Sequence, residues 1–236
     1  WFGAFRYVSF AQGTTDPNRM YATVQENGDA DGNGDTFLGL YRSDDGGATW
    51  ALTAGGAAAG ADNSGCQCGY DQTLGVDPQN ADRVYIGFQE LYLSTDGGAS
   101  FGLPPISRNK IHWDHHFIGF SPPSHWGDPP ASPTPMWVGT DGGVHSSDDG
   151  GATFNNFHNS TIASNLFHHI DIGRGSAANN EWTYGGTQDT GTLHSCEPAG
   201  ACGAPALASG DIPWEMGNNG DGSGVAVDPS NPQRAY

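Results

Sequence analysis

Three near-copies of one phrase decide how this chain folds: SDDGGATW at 43–50, STDGGASF at 94–101 and SDDGGATF at 147–154. The aspartates before the double glycines are Asp45, Asp96 and Asp149, so the copies recur about every fifty residues. Each follows a short apolar run, FLGLYRS, LYLS or GGVHSS. The phrase reads as a tight turn between strands. Its glycines supply positive φ, its Ser and Asp side chains bond the turn's own backbone, and the closing Trp or Phe starts the next strand.

A second phrase lies upstream of each copy, TDPNRMYATV at 15–24, VDPQNADRVYIGF at 76–88 and a longer version across 120–140, and recurs as VDPSNPQRAY at 227–236. Proline cannot continue a ladder, so Asp-Pro ends one strand and opens a turn. The VYIG and MWVG segments that follow are β-branched and aromatic, as strands prefer. The module therefore has four short strands. A period near fifty with four strands per repeat predicts an all-β protein, a β-propeller of four-stranded blades. SNLFHHIDIG at 164–173 also reads as a strand. Counting the phrases gives one propeller domain over 1–236, with blades at about 1–55, 56–108, 109–160 and 161–217 and a partial one at 218–236. About four and a half blades leave an open ring, so the remaining blades of a larger propeller, six-bladed or more, are expected on the same longer chain or on another chain.

Composition narrows the partners. The chain has 26 acidic residues against 8 basic, a net charge of −18, and 36% hydrophobic residues. Such a surface repels nucleic acid and anionic membranes. There is no apolar run long enough for a membrane span, so no membrane insertion is expected. Cys196 and Cys202 in CEPAGAC read as a small disulfide-closed loop, which places the protein in an oxidising, extracellular or cell-surface setting. Cys66 and Cys68 are too close in sequence to bridge each other easily.

The recurring phrases resemble the Asp-box, or bacterial neuraminidase repeat, family, which includes sialidases, xyloglucanase-like glycoside hydrolases and the sortilin ectodomain. Secreted propellers carrying HxDxH, DGG, GTQDxGT and GDGxG in successive blades are the nearer likeness. The matching residues here are His112–His116, Asp141–Gly143, Gly186–Gly191 and Gly220–Gly224. The resemblance implies an architecture and not a reaction.

In that architecture the turns between strands two and three, and the entries into strand one, share one face. The Asp-Gly-Gly turns lie on the other. One rim should then gather His112, Trp113, Asp114, His116, Asp141, Gln188, Asp189 and Asp221, with Asp71 at a further entry. Alternation along a strand would turn His112, Asp114 and His116 to one side and His115 to the other. The cluster has three readings: ties between blades, a metal or ligand site, or acid–base catalysis. A second candidate is NGDADGNGDTF at 27–37, where Asp29, Asp31, Asn33 and Asp35 alternate as in the first half of a calcium loop, although position twelve is Leu40 instead of an acid.

Two function classes follow. The first is a non-catalytic extracellular module that binds a glycan or a peptide or protein ligand, or serves as a structural part of a larger surface protein. The second is a hydrolase of neutral glycans using a pair among Asp114, Asp141 and Asp189, since hydrolysis needs two carboxyl groups flanking the scissile bond. Sialidase chemistry is disfavoured, because Arg19, Arg83 and Arg234 occupy the Asp-Pro turns and not the rim.

Overall fold

The computed structural model describes residues 5–26, 36–56, 68–103, 105–122, 132–156, 167–172, 183–188, 191–195, 214–218, 220–222, 224–228, 230–231 and 234–236. They form strands β1 (Phe5–Gln12), β2 (Met20–Glu26), β3 (Thr36–Ser43), β4 (Ala51–Leu52), β5 (Thr73–Val76), β6 (Val84–Gly87) and β7 (Leu91–Ser94). There follow β8 (His115–Phe120), β9 (Met136–Thr140), β10 (Gly143–Ser147), β11 (Phe167–Ile172), β12 (Thr183–Thr187), β13 (Gly191–Ser195) and β14 (Trp214–Asn218). The protein is all-β. Its antiparallel sheets are β1-β2-β3-β4, β5-β6-β7, β8-β9-β10 and β11-β12-β13-β14, each in simple meander order. The chain divides into two compact units, Trp1–Ile162 with the first three sheets and Ala163–Tyr236 with the fourth.

Among the described residues, the expected fourth strands of sheets two and three shrink to isolated contacts, and in sheet two Ile106 N–H also donates to Leu91 O at 2.8 Å. Gly102 N–H donates to Leu93 O at 3.0 Å, and Ser146 and Asn155 form an isolated bridge.

The three Asp-Gly-Gly turns are built alike. Ser43 Oγ accepts from Gly47 N–H at 2.9 Å, and Asp45 accepts from Thr49 through N–H at 2.8 Å and through the hydroxyl at 2.6 Å. Ser94 with Asp96, and Ser147 with Asp149, repeat the pattern. In each pair of glycines both φ values are positive, from 70° to 93°. Each turn needs glycine for that reason. The Asp-Pro turns repeat as well: Asp77 N–H donates to Arg83 O at 3.0 Å, and Asp228 N–H to Arg234 O at 2.9 Å. Within one sheet the two turn types meet, since Gly97 N–H donates to Asp82 O at 2.8 Å and Gly46 N–H to Asn18 O at 2.9 Å.

Within the first unit the sheets stack face to face. Strand β6 is buried on both sides, and its period of two sends Val84 and Ile86 into one core and Tyr85 into another. The first core joins Tyr21 and Leu40 of sheet one to Leu74, Val76 and Tyr92 of sheet two. The second joins Tyr85 and Leu91 of sheet two to Ile118, Met136 and Val138 of sheet three. The first strands of the sheets, β1, β5 and β8, lie beside one another in sequence order. Polar ties cross the same boundaries: Tyr21 hydroxyl donates to Ala81 O at 2.8 Å, Tyr85 hydroxyl to Gly150 O at 3.4 Å, and Arg19 pairs with Asp82.

Two consequences are measurable. A methyl group at Gly98 would sit 2.7 Å from Leu40 Cδ2 at a φ of +85°. Strain of roughly 1–2 kcal/mol and forced overlap of roughly 1–3 kcal/mol give an expected loss of about 2–4 kcal/mol for Gly98→Ala in a denaturant melt. The second concerns acid. The hydroxyl and N–H donors of Thr49 and Ser100 hold Asp45 and Asp96 down to about 2. A carboxyl depressed by folding adds stability above its unfolded value near 4, and that stability is lost as pH falls through about 2. The double variant Asp45→Asn/Asp96→Asn should therefore lose less stability than the parent between pH 4 and pH 2.

Candidate functional site

Within the first unit, three connections bring chemistry to the end of the strands opposite the Asp-Gly-Gly turns. They are the β6–β7 turn with Gln89, the β9–β10 turn with Asp141, and the segment 111–114 that leads into β8. Asp114 locks them together: its N–H donates to Gln89 O and its carbonyl accepts from Asp141 N–H, both at 3.2 Å. To do so it takes φ +60°, a left-handed conformation that Asp tolerates better than most residues. The expected alternation of His112, Asp114 and His116 along a strand is thus corrected. Residues 111–114 precede the strand, and the register of β8 against β9 shifts between His115 and Phe117. A left-handed residue followed by a bulge re-aims the side chains that simple alternation would have placed.

His116 still reaches the site. Its Nε2 lies 2.6 Å from Asp141 Oδ1, and the Tyr70 hydroxyl donates to Asp141 Oδ2 at 2.7 Å. The Tyr70 and His116 rings meet edge to face, 4.8 Å between centroids. The His112 ring packs directly on Gly142, where any side chain would collide with it. Trp113 is 60% exposed, and Tyr70, which bonds the Asp141 carboxyl, is 50% exposed. His115 points inward. It is fully buried, its Nδ1 is 3.0 Å from Phe88 O, and burial pushes its pKa down to about 4. It is therefore a neutral core histidine.

Beneath this surface lies Asp71, two residues before β5 and fully buried. Its carboxyl and that of Asp114 are within hydrogen-bonding reach of each other. As two carboxylates neither has a proton to give, which leaves both Asp71 oxygens and Asp114 Oδ1 without a donor. One shared proton removes the conflict. Burial first, then the neighbouring Asp114 charge, lifts Asp71 well above the usual carboxylate range. Burial likewise raises Asp114, and Asp141 adds to it. The arrangement places a proton-holding carboxyl pair behind Asp141, whose side chain is 14% exposed and bonded through both oxygens.

The second unit is described separately. Gln188 sits half-buried in the β12–β13 turn. Gly222 N–H donates to Thr187 O at 2.8 Å, which holds the exposed Asp221 near that turn. Asp189, the 29–35 calcium-loop residues and the Cys196/Cys202 pair lie outside the described residues. Cys68 is buried and disulfide-bonded. Among the described residues no group of three His, Cys, Asp or Glu is arranged to hold a metal ion. A cavity of about 250 Å³ lies at the opposite end of the strands, lined by Arg42, Asp44, Leu52 and Gly97 among others. It is remote from this chemistry, and Arg42 there is turned onto Asp44. Sequence reasoning missed Tyr70, a lone aromatic between glycine and Asp71 with no repeat partner to mark it.

No family model matches the chain, and no curated protein does. Among solved structures, an ancestral GH74 enzyme aligns over 96% of this chain at 19% identity and a TM-score of 0.40. The chain spans 26% of that enzyme's length. YCF48 bound to D1 peptide aligns over 80% of this chain and 63% of its own, at 12% identity and a TM-score of 0.26. Superpositions this loose decide neither fold nor function, which rest on the sheets and side chains above.

The proton shared by Asp71 and Asp114 has a thermodynamic signature. A carboxyl raised by folding makes the native state bind more protons than the unfolded one, so stability falls as pH rises above about 4 toward the native value. Asp71→Asn removes that loss. The melting temperature of the variant relative to the parent should be higher at pH 8 than at pH 4.

Proposed function

We propose that this chain is a ligand-binding module of a larger extracellular protein, built as a β-propeller of the Asp-box type, and that Trp113, Tyr70, His116 and Asp141 receive a neutral glycan. The observation that carries this reading is Asp141 held by His116 and by the exposed Tyr70, beside a segment that exposes the Trp113 ring next to Asp114. Aromatic faces stack on sugar rings, while carboxyl, imidazole and phenol groups bond hydroxyls. The groups bonded to Asp141 include a phenol and an imidazole, and the net charge of −18 disfavours an anionic ligand.

Three sheets with adjacent first strands and matching turns support the propeller reading. The disulfide at Cys68 supports an oxidising, extracellular setting. Binding is favoured over hydrolysis because Asp71, the carboxyl most inclined to keep its proton, is fully buried. An acid catalyst must come within hydrogen-bonding reach of the leaving oxygen.

One observation favours the hydrolytic reading: half-buried Asp114 shares that proton and is linked to Asp141 through the backbone. Calorimetric titration with neutral oligosaccharides separates the two. The binding reading predicts that Trp113→Ala and Asp141→Asn each weaken affinity by roughly ten-fold or more, in line with the loss of a stacking platform or a charge-assisted bond, with no new reducing ends released. Reducing-end release abolished by Asp114→Asn would transfer the assignment to a glycoside hydrolase.

A further inference from the structure

Strand β2 hides a polar stripe inside the first unit. Its period of two puts Tyr21, Thr23 and Gln25 on one face. The irregularities in its two ladders place the extra residue, Arg6 or Leu38, on the neighbouring strand, so the alternation of β2 is unbroken. Tyr21 on that face belongs to the first core, between sheets one and two. Thr23 and Gln25 continue from it toward the end opposite the Asp-Gly-Gly turns, and both are fully buried.

Sheet two meets this stripe with Gln72, the residue before β5, which is only 5% exposed. Its Nε2 lies 3.5 Å from Thr23 O, the outer limit for a hydrogen bond. Four further side-chain atoms have no partner among the described residues: Thr23 Oγ1, Gln25 Oε1, Gln25 Nε2 and Gln72 Oε1. Polar atoms this deep are as a rule hydrogen-bonded, because leaving them bare costs the full desolvation of each group.

We infer that Thr23, Gln25 and Gln72 form an internal binding site for ordered water at the boundary between sheets one and two. The atoms themselves select the ligand. The two amide oxygens only accept, the Gln25 amide nitrogen only donates, and the threonine hydroxyl does either. A ligand that serves all of them must both donate and accept. A metal cation would suit the oxygens but meet the Gln25 N–H groups, and these three side chains supply no carboxylate. An anion would suit the N–H groups and be repelled by the oxygens. Water fits, since a buried molecule makes about three hydrogen bonds in both senses.

The second boundary solves a similar problem differently. Asp71 and Asp114 need one donor between them, and a carboxyl can take up a proton to supply it. Neutral amides cannot, so the first boundary needs a separate molecule. One segment reaches both places: Tyr70 bonds Asp141, Asp71 meets Asp114, and Gln72 reaches Thr23. Water held by Gln72 and Gln25 therefore anchors to sheet one the segment that delivers Tyr70 to the candidate site. The inference needs only the packing of sheets one and two, and it stands or falls apart from glycan binding.

A crystal structure of the protein at a resolution of about 1.5 Å, paired with oxygen-17 water relaxation dispersion in solution, tests the site. The first should show density between Gln25 and Gln72 with about three contacts of roughly 2.7–3.2 Å to the polar atoms above. The second should count at least one fewer long-lived water in Gln25→Leu/Gln72→Leu than in the parent. Direct amide-to-amide bonding with no density between the two glutamines would overturn the inference. Contacts of roughly 2.3–2.6 Å would also overturn it, because they mark a hard cation in place of water. The parent crystal decides the matter even where the double variant fails to fold.

Discussion

The turn made by serine, aspartate and two left-handed glycines is the constraint on which the rest depends. One serine oxygen and one carboxylate satisfy the backbone donors of a reversal that would otherwise leave them bare. The paired glycines bring that reversal against neighbouring side chains: a methyl on Gly98 would strike Leu40, and one on Gly151 would strike Ile106. A turn that is satisfied internally fixes the register of the strand before it, and register decides which side chains meet the next sheet. The same clasp at Asp45, Asp96 and Asp149 therefore yields the same packing at both boundaries between sheets one, two and three.

Much of this was legible in the sequence because each device is local. Asp-Gly-Gly and Asp-Pro mark reversals by their own stereochemistry, and VYIG and MWVG announce strands by composition. Even FHHIDI, which lacks a turn phrase of the repeated kind, forms a strand as its alternation suggests. The convergence of Asp114, Asp141 and His116 was also readable, since it needs only the knowledge that one class of connection shares an end. The fourth strands of sheets two and three were less so, because their sequences do not reveal that pairing among the described residues is reduced to isolated contacts.

The details of the site escaped for physical reasons. Alternation assumes an unbroken strand, and Asp114 breaks it with a left-handed backbone that no composition rule demands. Tyr70 lies in a glycine- and cysteine-bearing connection, and its partner Asp141 is 71 residues away. Asp71 could be placed at the right end of its strand, but its burial against Asp114 depends on two sheets packing. A buried carboxyl with no donor is costly unless it keeps a proton. That cost is borne by the packing of the sheets, and it sets an electrostatic bias immediately behind the carboxyl at Asp141.

Stacked repeat sheets force Asp71 and Asp114 into one proton-sharing pair. Carbon-13 NMR titration of the aspartate carboxyls, assigned with Asp71→Asn and Asp114→Asn, measures it directly. One proton should stay on the pair well above the usual carboxylate range, and Asp114→Asn should lower the titration of Asp71 by removing the neighbouring charge while burial keeps it above the ordinary value. Independent titration of Asp71 and Asp114 near pH 4, unaltered by either substitution, would contradict it.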